Sequence, residues 1–192
     1  MTPASPTLAG PRCTLRAFHA GDAHSLAGQA NDPAVAFNLF DGFPQPYTLA
    51  DAQLWCTTLH RQPEFGQVWA IDVDGQAIGS IGLIPGQGMR VCNAEVGYWI
   101  GQAYWRQGIT SAALARVTAW AWREWPSVQR IVAPIFARNA GSQAVAAKAG
   151  YVLEARLPRS LLKAGEVIDV AQWATYRPAG MAPGQAAAGL AT

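Results

Sequence analysis

The chain has 192 residues, a length that fits one domain with short appendages, and 51% of them are hydrophobic, enough for a sizeable core. A net charge of +2, small and spread out, excludes the basic stripe of a nucleic-acid binder. No apolar run reaches the ~18 residues of a membrane span, and the N-terminal "MTPASPTLAGPR" lacks the apolar core of a secretory signal. Cys13, Cys56 and Cys92 form no C-x-x-C pair and no metal pattern with His19, His24 or His60, so no metal site is expected, and reduced thiols point to a cytoplasmic protein.

Residues 1–10 and 178–192, rich in Pro, Gly, Ala and Ser, read as flexible tails around a domain at 11–177. In chain order, "CTLRAF" (13–18) alternates as a first strand. "DAHSLAGQAND" opens with an acidic cap and reads as a helix ending near Pro33. "YTLADAQLWCTTLHR" reads as a helix capped by Thr48. "QVWAIDVDGQAIGSIGLI" is a hairpin turning at Asp74-Gly75, a pair that tolerates left-handed backbone. "NAEVGYWI" (93–100) is another strand. A helix runs from Gly108 to about Trp125, stopped by Pro126, with Ile109, Ala113, Val117 and Trp120 on one face. "RIVAPIFA" is a strand. "NAGSQAVAAKAG" is a short helix with Asn139 as N-cap and Gly150 at its end. "YVLEARLPRSLL" and "EVIDVAQWATYR" read as a closing antiparallel pair. The expected fold is a mixed α/β domain on one sheet.

"YWRQGITSAAL" (104–114) leaves unpaired N–H groups at the helix start, where the dipole favours an anion. Gly108 removes the Cβ that would block a phosphate, Arg106 adds charge, and Thr110 and Ser111 add hydroxyls. An ordinary turn would also place a glycine here. One glycine makes neither a Walker loop nor a dinucleotide fingerprint.

The order of elements, with "LRAF", "NDPAV", "PYTLADAQLW", "AEVGYWIG", "YWRQGITSAAL" and "RNAGSQAVAAKAGYVLEARL", resembles the Gcn5-related N-acetyltransferase superfamily, nearest its ribosomal-protein-alanine acetyltransferase branch. The resemblance spans roughly residues 13–177. It implies the acyl-CoA N-acyltransferase fold: a single mixed, mostly antiparallel sheet, flanked by helices and splayed at a cofactor slot. It also implies acetyl-CoA as cosubstrate. The family's phosphate motif, Q/R-x-x-G-x-G/A, matches Trp105, Arg106, Gln107, Gly108, Ile109 and Thr110, with Trp first and a β-branched Thr last. The resemblance therefore assigns Arg106, Gln107, Gly108, Ile109, Thr110 and Ser111 to the pyrophosphate. The backbone of Tyr98, Trp99 and Ile100, with the amide of Asn139, is assigned to the pantetheine arm.

Acyl transfer to an amine needs a base, donors for the developing oxyanion, and a partner for the leaving thiolate. Glu95, the one carboxylate in "NAEVGYWI", shares a face with Gly97 and Trp99. Its position resembles that of the family's glutamate base, while a Glu satisfied by a neighbouring Arg is the plain alternative. Gly97 allows either a bulge or a ligand's close approach. Ser142 resembles the residue that meets the thiolate, and Tyr151 is a second candidate acid. Helix capping by Asn139 and Ser142 and a core role for Tyr151 stand beside those roles. Lys148 complements its helix dipole. Pro134 suits a strand edge facing the splay. "AFNLFDGFPQPYT" lies where relatives line the acceptor site, so Phe40, Asp41 and Tyr47 are expected there, with Asp41 attracting the acceptor ammonium. The expected acceptor is a peptide N-terminus or a small amine. A non-catalytic acyl-CoA-binding module is the alternative, kept open by Thr110 and Trp105. The eight Trp leave room for a homodimer face that no segment identifies.

Overall fold

The computed structural model describes residues 4–180. In chain order it contains β1 (Thr14–Arg16), α1 (Ala23–Ala30), α2 (Pro33–Ala36), α3 (Leu49–Thr57), β2 (Gln67–Val73) and β3 (Gln76–Pro85). These are followed by β4 (Asn93–Ile100), α4 (Ile109–Glu124), β5 (Arg130–Phe136), α5 (Ala140–Lys148), β6 (Val152–Lys163) and β7 (Glu166–Tyr176). The strands form one seven-stranded sheet in the order β1-β2-β3-β4-β5-β7-β6. Every pairing is antiparallel except β4 with β5. The expected mostly antiparallel sheet with flanking helices is what forms.

Alternation along the strands builds two cores. Trp69 and Ile71 of β2, Val96 and Ile100 of β4, and Ile131, Ala133 and Ile135 of β5 point to one face and pack with Ile109, Ala113, Leu114 and Val117 of α4. Val68 and Ala70 point to the other face and pack with Leu26 and Ala30 of α1 and Ala52 and Cys56 of α3. A residue's parity along β4 therefore decides which side of the sheet it serves.

The first helix ends at Ala30, near Pro33 as expected, and Pro33 itself opens α2, where its missing N–H costs nothing, with Asp32 capping it by accepting from the Ala34 N–H at 2.8 Å. Two local readings are corrected. The helix capped by Thr48 ends at Thr57, earlier than its apolar pattern suggests, and a 3-10 turn follows at Leu59–Arg61. Residues 5–8, expected within a flexible tail, lie along β2 and β1. There the Trp69 indole donates to the Pro6 carbonyl at 2.9 Å, and Leu8 exchanges backbone bonds with Leu15 at 2.8 and 3.0 Å. The remainder of the expected tails, residues 1–3 and most of 178–192, falls outside the described residues. Among the described residues no helix is long and apolar enough to cross a membrane.

Candidate active site

The β4–β5 ladder holds only three pairs, Asn93 with Arg130, Ala94 with Ile131 and Glu95 with Val132. Beyond Glu95 the two strands have no register partner in each other, and this is the splay. The β3–β4 register runs unbroken from Gly79 with Ile100 to Pro85 with Ala94. Gly97 therefore makes no bulge; a Cβ placed there would meet nothing within 4 Å, so it offers open approach instead.

Hydrogen-bond parity fixes which backbone groups face the splay. The Gly101 N–H bonds to the Ile78 carbonyl at 2.9 Å, and the Gly86 N–H bonds to the Asn93 carbonyl at 2.8 Å. Odd-numbered residues of β4 thus bond to β3, and even-numbered ones turn toward β5. Past the end of the ladder, the N–H groups of Tyr98 and Ile100 point into the opening. The backbone of Trp99 faces β3, which removes it from the expected donor set.

The side chains divide the other way. Glu95, Gly97 and Trp99 face the α1–α3 side. Among the described residues no hydrogen-bond or ion-pair partner contacts the Glu95 carboxyl; it keeps an exposed edge, yet burial alone raises its pKa. A Glu satisfied by a neighbouring Arg is not what the structure contains. Trp99 stands edge-on to Phe43 at 5.6 Å, and Phe43 stacks on Tyr47 at 5.0 Å.

Tyr98 faces the α4–α5 side. Its hydroxyl donates to the Ser142 carbonyl at 3.1 Å and accepts from the Ser142 hydroxyl at 3.0 Å. Burial pushes the Tyr98 pKa up to about 12, so it holds its proton at neutral pH. The Asn139 side-chain oxygen accepts from the Ser142 N–H at 3.0 Å, so Asn139 is the N-cap of α5 and anchors Ser142 beside Tyr98. The expectation for Tyr98 concerned its backbone, and its hydroxyl went unread because the partner is 44 residues away. Tyr151 is 3% exposed, and its hydroxyl pairs with Thr118 at 2.8 Å inside the core. Burial raises its pKa first of all.

At the start of α4 the backbone is left-handed at Arg106 (φ 62°) and at the N-cap Gly108 (φ 75°). The first bond of the helix runs from the Ala112 N–H to the Gly108 carbonyl at 3.2 Å, leaving the N–H groups of Ile109, Thr110 and Ser111 without helical partners. A non-glycine residue held left-handed stores strain that a binding turn can justify. The position of a Cβ at Gly108 is 3.6 Å from both Arg12 Nε and Lys148 Nζ. Arg12 also donates to the Gln107 carbonyl at 3.1 Å. These two cations were not read as binding residues, since the segments that carry them meet only in the fold. Thr110 is 8% exposed, so its β-branch packs inward and does not crowd the turn. Ile109 is a core side chain that contributes only backbone here. Ser111 donates back to the Gly108 carbonyl at 3.0 Å, Gln107 donates to the Ala103 carbonyl at 3.0 Å, and Trp105 donates to the Ile100 carbonyl at 2.9 Å.

The acceptor loop is only partly as expected. Phe40 is 61% exposed and Tyr47 is buried. Asp41 is not positioned as a free anion: it accepts from Lys163 Nζ at 3.2 Å and from the Ala164 N–H at 3.0 Å, so both oxygens bind the β6–β7 hairpin. Arg138 repeats the tie, donating to the Phe37 carbonyl at 3.1 Å and pairing with Glu166 at 2.9 Å. Phe43, absent from the expected set, is the loop residue that reaches Trp99. Among the described residues no group of three or more His, Cys, Asp or Glu could hold a metal.

A helix start with unpartnered N–H groups, a splayed strand pair, and a carboxyl and a hydroxyl pair on opposite sides of the opening suit a long phosphorylated ligand. Residues 12–152 match the family profile described as the Acetyltransferase (GNAT) domain. No curated protein matches the chain by sequence. Among solved structures, a GNAT-family acetyltransferase from Bacillus anthracis aligns with a TM-score of 0.77 at 18% identity, over 90% of this chain and 99% of that one. Mycobacterium smegmatis RimJ, solved in complex with CoA-disulfide, gives 0.77 at 22% identity over 92% and 90%. The ribosomal-protein-S5-alanine acetyltransferase from Vibrio fischeri gives 0.75 at 18% over 93% and 100%. Those likenesses establish the shared fold, and the profile match across most of the sequence places the chain in the GNAT acetyltransferase family, whose cosubstrate is acetyl-CoA.

Proposed function

We propose that the chain transfers the acetyl group of acetyl-CoA to a primary amine, a peptide N-terminus or a small amine, by direct attack within a ternary complex. The observation that carries this reading is the Glu95 carboxyl: unpaired, raised in pKa, and placed where the β4–β5 ladder ends. A base of that kind suits an ammonium that must lose a proton before it can attack.

The residues present fit the cosubstrate. The N–H groups of Ile109, Thr110 and Ser111, with Arg12, Lys148 and Arg106, suit a pyrophosphate. The splay suits a slender arm. Bound acetyl-CoA supplies a thioester acyl group. Glu95 accepts the amine proton, directly or through water. The Tyr98 and Ile100 N–H groups point to where the carbonyl oxygen gains negative charge. The Tyr98–Ser142 hydroxyl pair, on the far side of the opening, offers a proton to the departing sulfur. An ammonium gives up two protons in becoming an amide: the first goes to Glu95 before attack, and the second leaves nitrogen for water as the C–N bond forms, while the C–S bond breaks and sulfur takes a proton from the hydroxyl pair, which water then restores. The Vibrio fischeri likeness makes an alanine-initiated peptide the first acceptor to try.

The test compares the wild-type protein with Glu95→Gln, using acetyl-CoA and that peptide. The expected loss in kcat is about 10²–10⁴-fold, with acetyl-CoA affinity unchanged. Equal rates overturn the base assignment. A wild-type protein that binds acetyl-CoA but acetylates no peptide or small amine is the binding-module alternative.

A further inference from the structure

Glu95 is unpaired although a cation stands within reach. On its face of the sheet the next pair along is Asn93 with Arg130, and diagonal neighbours on adjacent strands lie about 7 Å apart, well within the span of an arginine. Arg130 is engaged instead by Glu154 and Asn93. Its Nε donates to Glu154 Oε1 at 2.8 Å, its Nη2 donates to Glu154 Oε2, and its Nη1 donates to Asn93 Oδ1 at 3.1 Å.

Glu154 is not in the regular ladder of β6. Leu153 pairs with Trp173 and Ala155 with Gln172, so Glu154 is the extra residue of a bulge. A bulge re-aims a side chain by bending the strand locally. Here it sends the carboxylate across β7, where Gln172 donates to it at 2.8 Å and Tyr176 at 2.5 Å, to the guanidinium on β5. One carboxylate thus gathers donors from two neighbouring strands and ends at the cation next to Glu95.

We propose that Glu154 is a positioning residue for the reaction, whose task is to hold Arg130 away from Glu95 so that the base stays unpaired. The proposal rests on Glu95 being the base. The charged and titratable groups around Glu95 leave Arg130 as the one to restrain. β3 offers Ser80, Gly82 and Ile84 on this face, none charged, and Glu64 lies in the 3-10 turn against β3. β5 offers Arg130, β7 offers Tyr176, and β6 offers Glu154. Asp41 in the acceptor loop is tied to Lys163. The Glu154 carboxyl is held down to about 2, by Arg130 first and against the opposing effect of burial, so it stays charged across the working range. An Arg130 released onto Glu95 would favour the carboxylate and weaken the base.

The test is a carbon-13 NMR titration of the Glu95 carboxyl in the full chain, which needs no acceptor. Glu154→Gln keeps the shape and removes the charge. The expected result is a fall in the Glu95 midpoint of about one pH unit or more. Adding Arg130→Met to Glu154→Gln is expected to return the midpoint to its wild-type value. An unchanged midpoint in Glu154→Gln overturns the proposal. Arg130→Met alone serves if Glu154→Gln does not fold: an unmoved midpoint is expected, and a rise overturns the proposal by showing that Arg130 already acts on Glu95. Failure here is separable from failure of the base reading, which is decided by the rate of Glu95→Gln on the alanine-initiated peptide.

Discussion

A phenol can deliver a proton only where it reaches the reacting sulfur, and Tyr151 is 3% exposed, its hydroxyl paired with Thr118 inside the core and away from the opening. Tyr151→Phe is expected to leave kcat within about twofold and to cost about 1 kcal/mol of stability, the ordinary worth of a buried hydrogen bond. Steady-state kinetics and a denaturant melt check this together, and a hundredfold loss in kcat with intact stability would restore Tyr151 as the acid. The face that Glu95 takes was legible in the sequence, because a lone carboxylate in an apolar strand is conspicuous and parity gives its side. Arg12 was not, because it reaches the glycine turn only once the N-terminal segment docks, with Arg116 donating to the Cys13 carbonyl at 2.8 Å. Asp41 looked like a free anion for the same reason in reverse: its cation is 122 residues away.

Among the elements, the acceptor loop and the β6–β7 hairpin behave as one unit, joined by Asp41 to Lys163 and Ala164 and by Arg138 to Phe37 and Glu166. Asp41→Ala removes two of those ties. Hydrogen exchange is expected to quicken in both segments, and KM for the alanine-initiated peptide to rise with kcat little changed. Protection lost in the loop alone would show that the two do not move together. The hairpin at Asp74-Gly75 was legible, with both residues left-handed at φ 53° and 79°. The α4 start was legible too, since caps and turns are local chemistry. The interruptions of β6 were not. Its register slips between Leu153 and Ala155 and between Leu157 and Leu161, and Arg159 is left-handed with its N–H on Asp169. Those departures answer to partners on β7, not to the residues of β6 itself.

For the whole molecule, one ion cluster ties β1, the start of α1 and β2. Arg16 donates to Asp22 at 2.7 and 2.8 Å and to Asp72 at 2.7 Å. Burial alone would raise the Asp22 pKa, but hydrogen bonds from Arg16 and the His19 N–H outweigh it and the net direction is down. A carboxyl depressed in the folded state stabilises above its unfolded pKa of about 3.9, and that stability is lost as pH falls through the lower folded value. Glu154 adds to the loss in the same acid window. Glu95, raised when folded, works the other way and gains slightly as pH falls toward its unfolded value. The melting temperature is therefore expected to hold from neutral pH to about 4.5 and then drop, the drop being shallower in Asp22→Asn. An equally steep drop in that variant would remove Asp22 from the explanation. The strand order itself was not legible, because alternation names faces and not neighbours; the family resemblance implied only a mostly antiparallel sheet with a splay.

The position of β7 between β5 and β6 bears on how the chain is made. A ribosome delivers β5 and β6 before β7, yet the outer side of β5 finds its partner only in β7. Until residues 166–176 have left the exit tunnel, β5 presents an unpaired edge, and an interrupted translation product would carry that edge exposed. Such edges recruit other chains, so the interval before the last strand slides in is when the growing chain is most open to mispairing.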